Sequence, residues 1–285
     1  MNNVVYQRFT TNAQPTRHMQ SDSNLDGPHP PRQNTPDYSS PVIHPSAKMS
    51  SVPTLYNAWF CPFAQRAWIA LLEKGVEFKY VEQDPYNKTP EWLAVNPRGL
   101  VPVIVHNGKP VYESPVCIEY VDEAWKTDRN LLPTDVYQRA FARIWSNFIG
   151  SKIEAPYYRL LMKKDQAERD EAIDSIVKAT KMLFAELDEK SGPFFGGQAL
   201  NKIDIMLFPY AHRFQVVLPH YRGFTLPKEG TEFERYYQWY AACTERESIK
   251  KTIPDDTRLI ESYQRYADDS VKSEVADAIR KGTTY

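Results

Sequence analysis

The amino-acid sequence predicts an α/β domain followed by an all-helical domain, and three observations carry that prediction. Between residues 51 and 126, strand-period and helix-period apolar patterns alternate in short succession. Beyond residue 135 the strand signals stop and only helical stripes continue. The 285 residues, 42% hydrophobic and 25% charged, suffice for about two domains with a sizeable core.

Residues 1–50 precede both bodies. They hold Pro15, Pro28, Pro30, Pro31, Pro36, Pro41 and Pro45 and show no apolar periodicity, so burial cannot offset their ordering entropy. They read as a disordered tail. Arg8, Arg17 and the absence of acidic residues up to Gln20 also fit a transit peptide, whereas the apolar core of a secretory signal is missing.

Val52 to Asn57 has the β-branched and aromatic content of a strand. Phe63, Ala67, Ala70 and Leu71 then mark one face of a helix ending near Gly75. Val76, Phe78 and Tyr80 alternate with charged residues as a second strand, and Glu91 to Val95 is a helical fragment. Leu100 to Val105 reads as a buried strand, joined through His106-Asn107-Gly108-Lys109 to a hairpin partner, Pro110 to Tyr112. Cys117, Tyr120, Val121 and Ala124 form a second amphipathic helix. This order is that of a thioredoxin-like α/β domain over residues 51–126.

Residues 127–135 are a polar linker, and residues 136–285 form the helical domain. Phe141, Ile144, Trp145, Phe148 and Ile149 make one stripe; Ile173, Ile176, Val177, Leu183, Phe184 and Leu187 make another. Asn201-Lys-Ile-Asp204 has the pattern of a capping box, and the apolar run Ile205 to Phe208 behind it predicts a central, buried helix. Phe233 to Arg246 and Asp256 to Ala267 are two further helices, and Lys272 to Tyr285 is too polar to assign.

Composition removes several function classes. With 35 Lys+Arg against 36 Asp+Glu, no strong field draws the chain to nucleic acid or an anionic membrane. The run Ala67 to Leu72 falls far short of the roughly 18 apolar residues of a membrane span. Cys61, Cys117 and Cys243 are too few and too scattered for a disulfide scaffold or a metal cage, which points to free thiols, a reducing cytoplasmic compartment and no metal.

The most informative segment is Phe60-Cys-Pro-Phe-Ala-Gln-Arg66. Proline suits the first helical position, so Cys61 falls at the N-cap. There the free backbone N–H groups and the helix dipole favour thiolate, and such cysteines titrate at roughly 3.5–7.5. A small buried packing residue is the alternative for Cys61, and it is the reading for Cys117 and Cys243. A dithiol redox motif needs a second cysteine where Ala64 stands, so chemistry at Cys61 is monothiol and an external thiol must resolve its mixed disulfide.

Cys61-Pro-Phe-Ala-Gln-Arg66, Asn96-Pro-Arg-Gly-Leu-Val-Pro102 and Tyr112-Glu-Ser114 together resemble the Omega-class glutathione transferases from about residue 52 to 270, with plant Lambda-class transferases and dehydroascorbate reductases sharing the cysteine motif. The resemblance implies glutathione as cosubstrate, a catalytic Cys61 beside its sulfur, and Phe63 in the same site. It also implies a cis peptide at Pro102, pairing of the Val101 backbone with the tripeptide, Glu113 and Ser114 at its γ-glutamyl end, and Lys88 at its glycyl carboxylate. Ser114 has the alternative role of a helix cap. Arg213, Tyr263 and Tyr266 are the implied lining of the second-substrate pocket.

The function expected is glutathione-dependent thiol transfer, deglutathionylation, dehydroascorbate reduction, or glutathione transfer to or from a small electrophile. The alternative is a non-enzymatic regulator or assembly subunit on the same fold, with the tail as its interaction arm. A homodimer is expected as well, because Tyr157 and Tyr158, two turns beyond Ile149, add aromatic surface to the first helical stripe, and because related transferases pair through a two-fold contact.

Overall fold

The computed structural model describes residues 52–187, 192–228 and 231–283. The tail expected over residues 1–50 lies outside the described residues.

The first body is built on β1 (Thr54–Asn57), α1 (Pro62–Glu73), β2 (Lys79–Glu82), α2 (Pro90–Val95), β3 (Val103–His106), β4 (Lys109–Tyr112) and α3 (Ser114–Ala124). The sheet order is β2-β1-β3-β4, with β2 parallel to β1 and the remaining pairs antiparallel. This is the thioredoxin-like domain that the sequence predicts. Asn107 and Gly108 both have positive φ, 51° and 73°, as a two-residue hairpin between β3 and β4 requires. Two strands start later than the apolar pattern suggests. β2 begins at Lys79 because Val76 and Phe78 lie in the approach to it, and β3 begins at Val103, immediately after a cis Val101–Pro102 peptide.

The second body comprises α4 (Val136–Ile149), α5 (Ala155–Met162), α6 (Gln166–Ala185), α7 (Lys202–Arg222), α8 (Glu234–Thr244), α9 (Glu247–Lys250), α10 (Asp256–Ala267) and α11 (Glu274–Lys281). α7 is the buried centre. Its N-terminus closes the predicted capping box: Asn201 Oδ1 accepts from Ile203 N at 2.8 Å, and Asp204 Oδ2 accepts from Asn201 N at 2.8 Å. Asp204 also accepts from Trp239 Nε1 at 2.7 Å, which ties α8 to α7, and burial pushes its carboxyl up to about 6.

Two departures bear on function. α4 and α5 are joined by a π-helical turn, Gly150–Glu154, which widens the helix where it passes α1. The segment after Lys272, too polar to assign from the sequence, forms α11. Ser273 caps it by accepting from Ala276 N at 3.1 Å, Gly282 ends it in the left-handed conformation, and Ala276, Ala278 and Ile279 are its buried face.

The linker is not loose. Asp122 accepts from Leu131 N at 2.8 Å and Leu132 N at 3.2 Å, and both leucines are buried. Leu131 O in turn accepts from Lys202 N at 2.7 Å, so the junction between the bodies is stitched to the start of α7. Among the described residues no helix is long and apolar enough to cross a membrane, and Cys61, Cys117 and Cys243 are unpaired.

Candidate active site

Cys61 sits where the β1–α1 loop turns into α1. Its φ and ψ of −81° and 122° are those of an N-cap, Pro62 opens the helix, and Cys61 O accepts from Gln65 N at 3.0 Å. The side chain is half-buried on the floor of a cleft of about 790 Å³ that runs between the two bodies. Burial pushes the Cys61 thiol up, while the backbone N–H groups of Ala64 and Phe63 and the cations of Arg213 and Arg66 pull it down. Neither N–H closes a capping hydrogen bond to the sulfur. The net direction is upward, opposite to what a helix start alone implies, because the cost of desolvating the thiolate in this position exceeds the pull of those groups; Tyr86, Tyr263 and Tyr266 lie near enough for its charge to raise their own hydroxyls.

The side of the cleft nearest the sheet is organised by one turn. Asn96 holds it, donating from Nδ2 to Leu100 O at 2.8 Å and accepting at Oδ1 from Arg98 N at 3.1 Å. Gly99 has a φ of 63°, and a Cβ there would lie 2.9 Å from Lys88 Cδ, so only glycine lets the lysine stem cross the turn. Lys88 Nζ then donates to Arg98 O at 2.7 Å. Val101 and Pro102 follow, buried against the cleft and ahead of the first ladder residue of β3. Opposite them, Glu113 is the N-cap of α3 with φ 69°, and its carboxylate takes Arg98 Nη1 at 2.6 Å. Ser114 is the first helical residue and not the cap. Its buried Oγ accepts from Arg66 Nη1 at 3.3 Å. The structure therefore brings Cys61, Phe63, Lys88, Val101, Pro102, Glu113 and Ser114 to one cleft.

On the other side, Tyr263 and Tyr266 of α10 line the cleft with Tyr158 of α5. Arg213, implied by the resemblance as pocket lining, is instead fully buried beneath the cysteine loop. It donates to Phe60 O at 2.7 Å, Tyr263 Oη at 2.6 Å, Gln65 Oε1 at 3.0 Å and Pro209 O at 2.6 Å. Four acceptors on two bodies draw the guanidinium inward, so it braces the residue before Cys61 and does not meet the cleft. Arg66 is a second brace. It is buried with Glu154 of the π turn in a close ion pair and donates to Met206 O at 2.7 Å.

Residues 60–124 match the family described as glutathione S-transferase, N-terminal domain, and residues 144–252 match glutathione S-transferase, C-terminal domain. Glutathione S-transferase U25 of Arabidopsis thaliana is 38% identical over 207 residues, covering 72% of this chain and 90% of its own. The chain belongs to the glutathione S-transferase family. Two solved glutathione transferases share its fold. An Omega 3C enzyme from Trametes versicolor superposes with a TM-score of 0.67 at 32% identity, over 75% of this chain and 89% of its own. A Tau-class enzyme from mango, Mangifera indica, does so with 0.70 at 26% identity, over 76% and 99%. Relatives of this transferase thus carry both class names.

Sequence reasoning passes over several residues of this transferase's cleft. Tyr86 lies in a polar turn with no periodicity, yet its hydroxyl lies 3.2 Å from that of Tyr266 and its ring stacks on Phe60. Arg98 stands inside a quoted motif without a role. Glu154 becomes a partner of Arg66 only through the π turn, and Glu274 reaches the cleft only because α11 folds back over it.

Proposed function

We propose that the protein is a cysteine-type glutathione transferase in which Cys61 forms and resolves a disulfide with glutathione, as in reductive deglutathionylation or dehydroascorbate reduction. The observation that supports this reading is a sulfur, not a hydroxyl, at the start of α1, half-exposed on the floor of the cleft. In the first step the Cys61 thiolate attacks the glutathionyl sulfur of a mixed disulfide; the Cys61–glutathione bond forms and the substrate thiolate leaves and takes up a proton. In the second, a glutathione thiolate attacks that same glutathionyl sulfur, releasing oxidised glutathione and returning Cys61 as thiolate. Lys88, Val101, Glu113 and Ser114 hold the tripeptide, with the Val101 backbone at its cysteinyl part; Phe63 belongs to the same site, and Tyr263 and Tyr266 face the second substrate. Three unpaired thiols accord with work in a reducing, cytoplasmic compartment.

A second reading, conjugation of glutathione to electrophiles, is favoured by the elevated Cys61 pKa. A protonated thiol can donate to a glutathione thiolate as a hydroxyl does, and the Tau-class neighbour accords with that chemistry. Cys61→Ala and Cys61→Ser separate the two. Incubation with a glutathione mixed disulfide, followed by intact mass measurement, should show one glutathionyl group on the natural protein and none on Cys61→Ala, with thiol transfer abolished and glutathione still bound. Cys61→Ser should gain conjugation. Thiol transfer retained by Cys61→Ala would sink the disulfide mechanism.

The functional unit in this reading is a homodimer, although the surface that supports it differs from the one expected. Tyr157 and Tyr158 are 0% and 2% exposed, packed against Tyr210, Tyr263 and Tyr266, and offer nothing to a partner. Among the described residues the exposed large apolar side chains include Val136, Tyr137 and Ile144 of α4, at 77%, 62% and 57%, with Val116 of α3 and Tyr112 of β4; Met182 of α6 and Val52 are exposed as well. α3 and α4 are joined by Arg143 and Glu119 at 2.8 Å, and in this reading the exposed α4 residues supply the helical body's share of the two-fold contact.

A further inference from the structure

α11 carries a carboxylate into the part of the cleft where a peptide carboxylate belongs. Glu274 Oε2 takes Arg98 Nη2 at 2.7 Å, and its other oxygen, Oε1, lies 3.6 Å from Lys88 Nζ. A single carboxylate thus bridges two cations, one of them presenting half of a guanidinium fork. The other half of that fork is on Glu113, whose backbone opens α3 beside Ser114. Lys88, Arg98, Glu113 and Glu274 line the same cleft as Cys61 and Val101.

We propose that Lys88 and Arg98 together form the subsite for the glycyl carboxylate of glutathione, and that Glu274 fills this subsite from within the chain, so that the cosubstrate must displace it to bind. The proposal rests on the glutathione-site reading given above and adds to it a binding residue, Arg98, and an internal competitor. Charge supports it: two cations face two carboxylates, Glu274 is the one that touches both cations, and an incoming tripeptide carboxylate that takes its place keeps the charge balance.

Accessibility supports it too. The side chains of Lys88, Arg98 and Glu274 are 38%, 45% and 40% exposed, so water screens each pair and the contact is cheap to exchange for an equivalent one.

The remainder of the strap explains how Glu274 can be both delivered and released. α11 is held without Glu274 by Arg280, which donates to Asp269 Oδ1 at 2.9 Å and Val271 O at 2.6 Å, and by Ala276 and Ile279, which are buried. Asp269, with φ 63°, makes the turn that brings the chain back. Ser273 lies 3.3 Å from the Tyr266 hydroxyl, so the start of α11 touches a tyrosine that lines the same cleft as Cys61. Occupancy by Glu274 lowers the apparent affinity for glutathione by the fraction of molecules in which the subsite is already filled.

The test is the affinity of the full chain for glutathione and for its glycyl monoethyl ester, measured by titration calorimetry on the natural protein, Glu274→Gln and Glu274→Ala. Removing the internal carboxylate should tighten glutathione roughly threefold to tenfold, and the ester, which has no glycyl charge to compete, should change less than about twofold. Unchanged glutathione affinity in both variants would overturn the proposal, as would an equal gain for the ester, which would make α11 a lid without a shared subsite. If neither the natural protein nor either variant binds glutathione, the glutathione-site reading itself fails and this proposal with it.

Discussion

Replacing Glu154 by glutamine isolates the ion pair on which the two bodies and the cleft converge. The Arg66 and Glu154 side chains are only 1% and 5% exposed, and Arg66 spends its other donors on Met206 O and Ser114 Oγ. Glutamine keeps the shape and one acceptor but removes the counter-charge that Glu154 brings to the buried guanidinium. Losing one member of a buried pair costs about 3–5 kcal/mol, and for a folded body of this size that is a fall of roughly 6–20 °C in Tm. Urea denaturation followed by tryptophan fluorescence measures the loss directly. Arg66→Met and the double variant Arg66→Met/Glu154→Leu, which removes both members of the pair, complete the comparison; the double variant should be more stable than Glu154→Gln. Because Arg66 also holds Ser114, both single variants should raise KM for glutathione more than they lower kcat. A Glu154→Gln protein within about 1 kcal/mol of the natural one would refute the reasoning, since an exposed pair costs no more than that.

The Cys61 thiol is raised by burial, so its reactive thiolate accumulates only as the pH climbs through the alkaline range. Alkylation of the native protein by iodoacetamide should therefore keep accelerating up to about pH 9, with log rate rising near unit slope, and a plateau below pH 8 would contradict it; Cys61→Ser supplies the background, since Cys117 and Cys243 are buried. Ile144→Glu places a charge among the exposed apolar side chains of α4, and sedimentation at micromolar concentration should show the natural chain at twice 33.0 kDa and the variant near 33.0 kDa. A natural chain sedimenting as a monomer removes the dimer.

What was legible in the sequence is what short-range chemistry determines. Cys61-Pro62 at a helix start, the Asn107-Gly108 hairpin and the Asn201–Asp204 capping box each depend on residues within four positions of one another, and each is found in place. The site residues escape the same logic in proportion to their reach. Nothing near Arg213 announces that its guanidinium will be drawn to Phe60 O across 153 residues, and Glu274 meets Arg98 across 176. The direction of the Cys61 shift is a further case: the helix start is a local feature and pulls the pKa down, but the burial that outweighs it comes from residues of both bodies that meet at the cleft. Tyr157 and Tyr158 look like surplus surface only until the π turn Gly150–Glu154 is known, after which α5 runs with both tyrosines buried.

The cross-body contacts make the two halves poor candidates for exchange. Gln65 donates to Thr252 O and Oγ1 at 3.2 Å, and Glu73 takes Ser248 Oγ at 2.5 Å and pairs with Arg246; with Arg66 and Arg213, these are polar groups sealed at the seam between α1 and the helical body. A chimera joined at residues 127–135 would strand those groups unless its donor matched at Glu154, Met206, Arg213, Arg246, Ser248 and Thr252. Tuning of the second-substrate side, whether by selection or in the laboratory, is thereby channelled toward single side chains such as Tyr158, Tyr263 and Tyr266, and away from wholesale replacement of the helices that bear them.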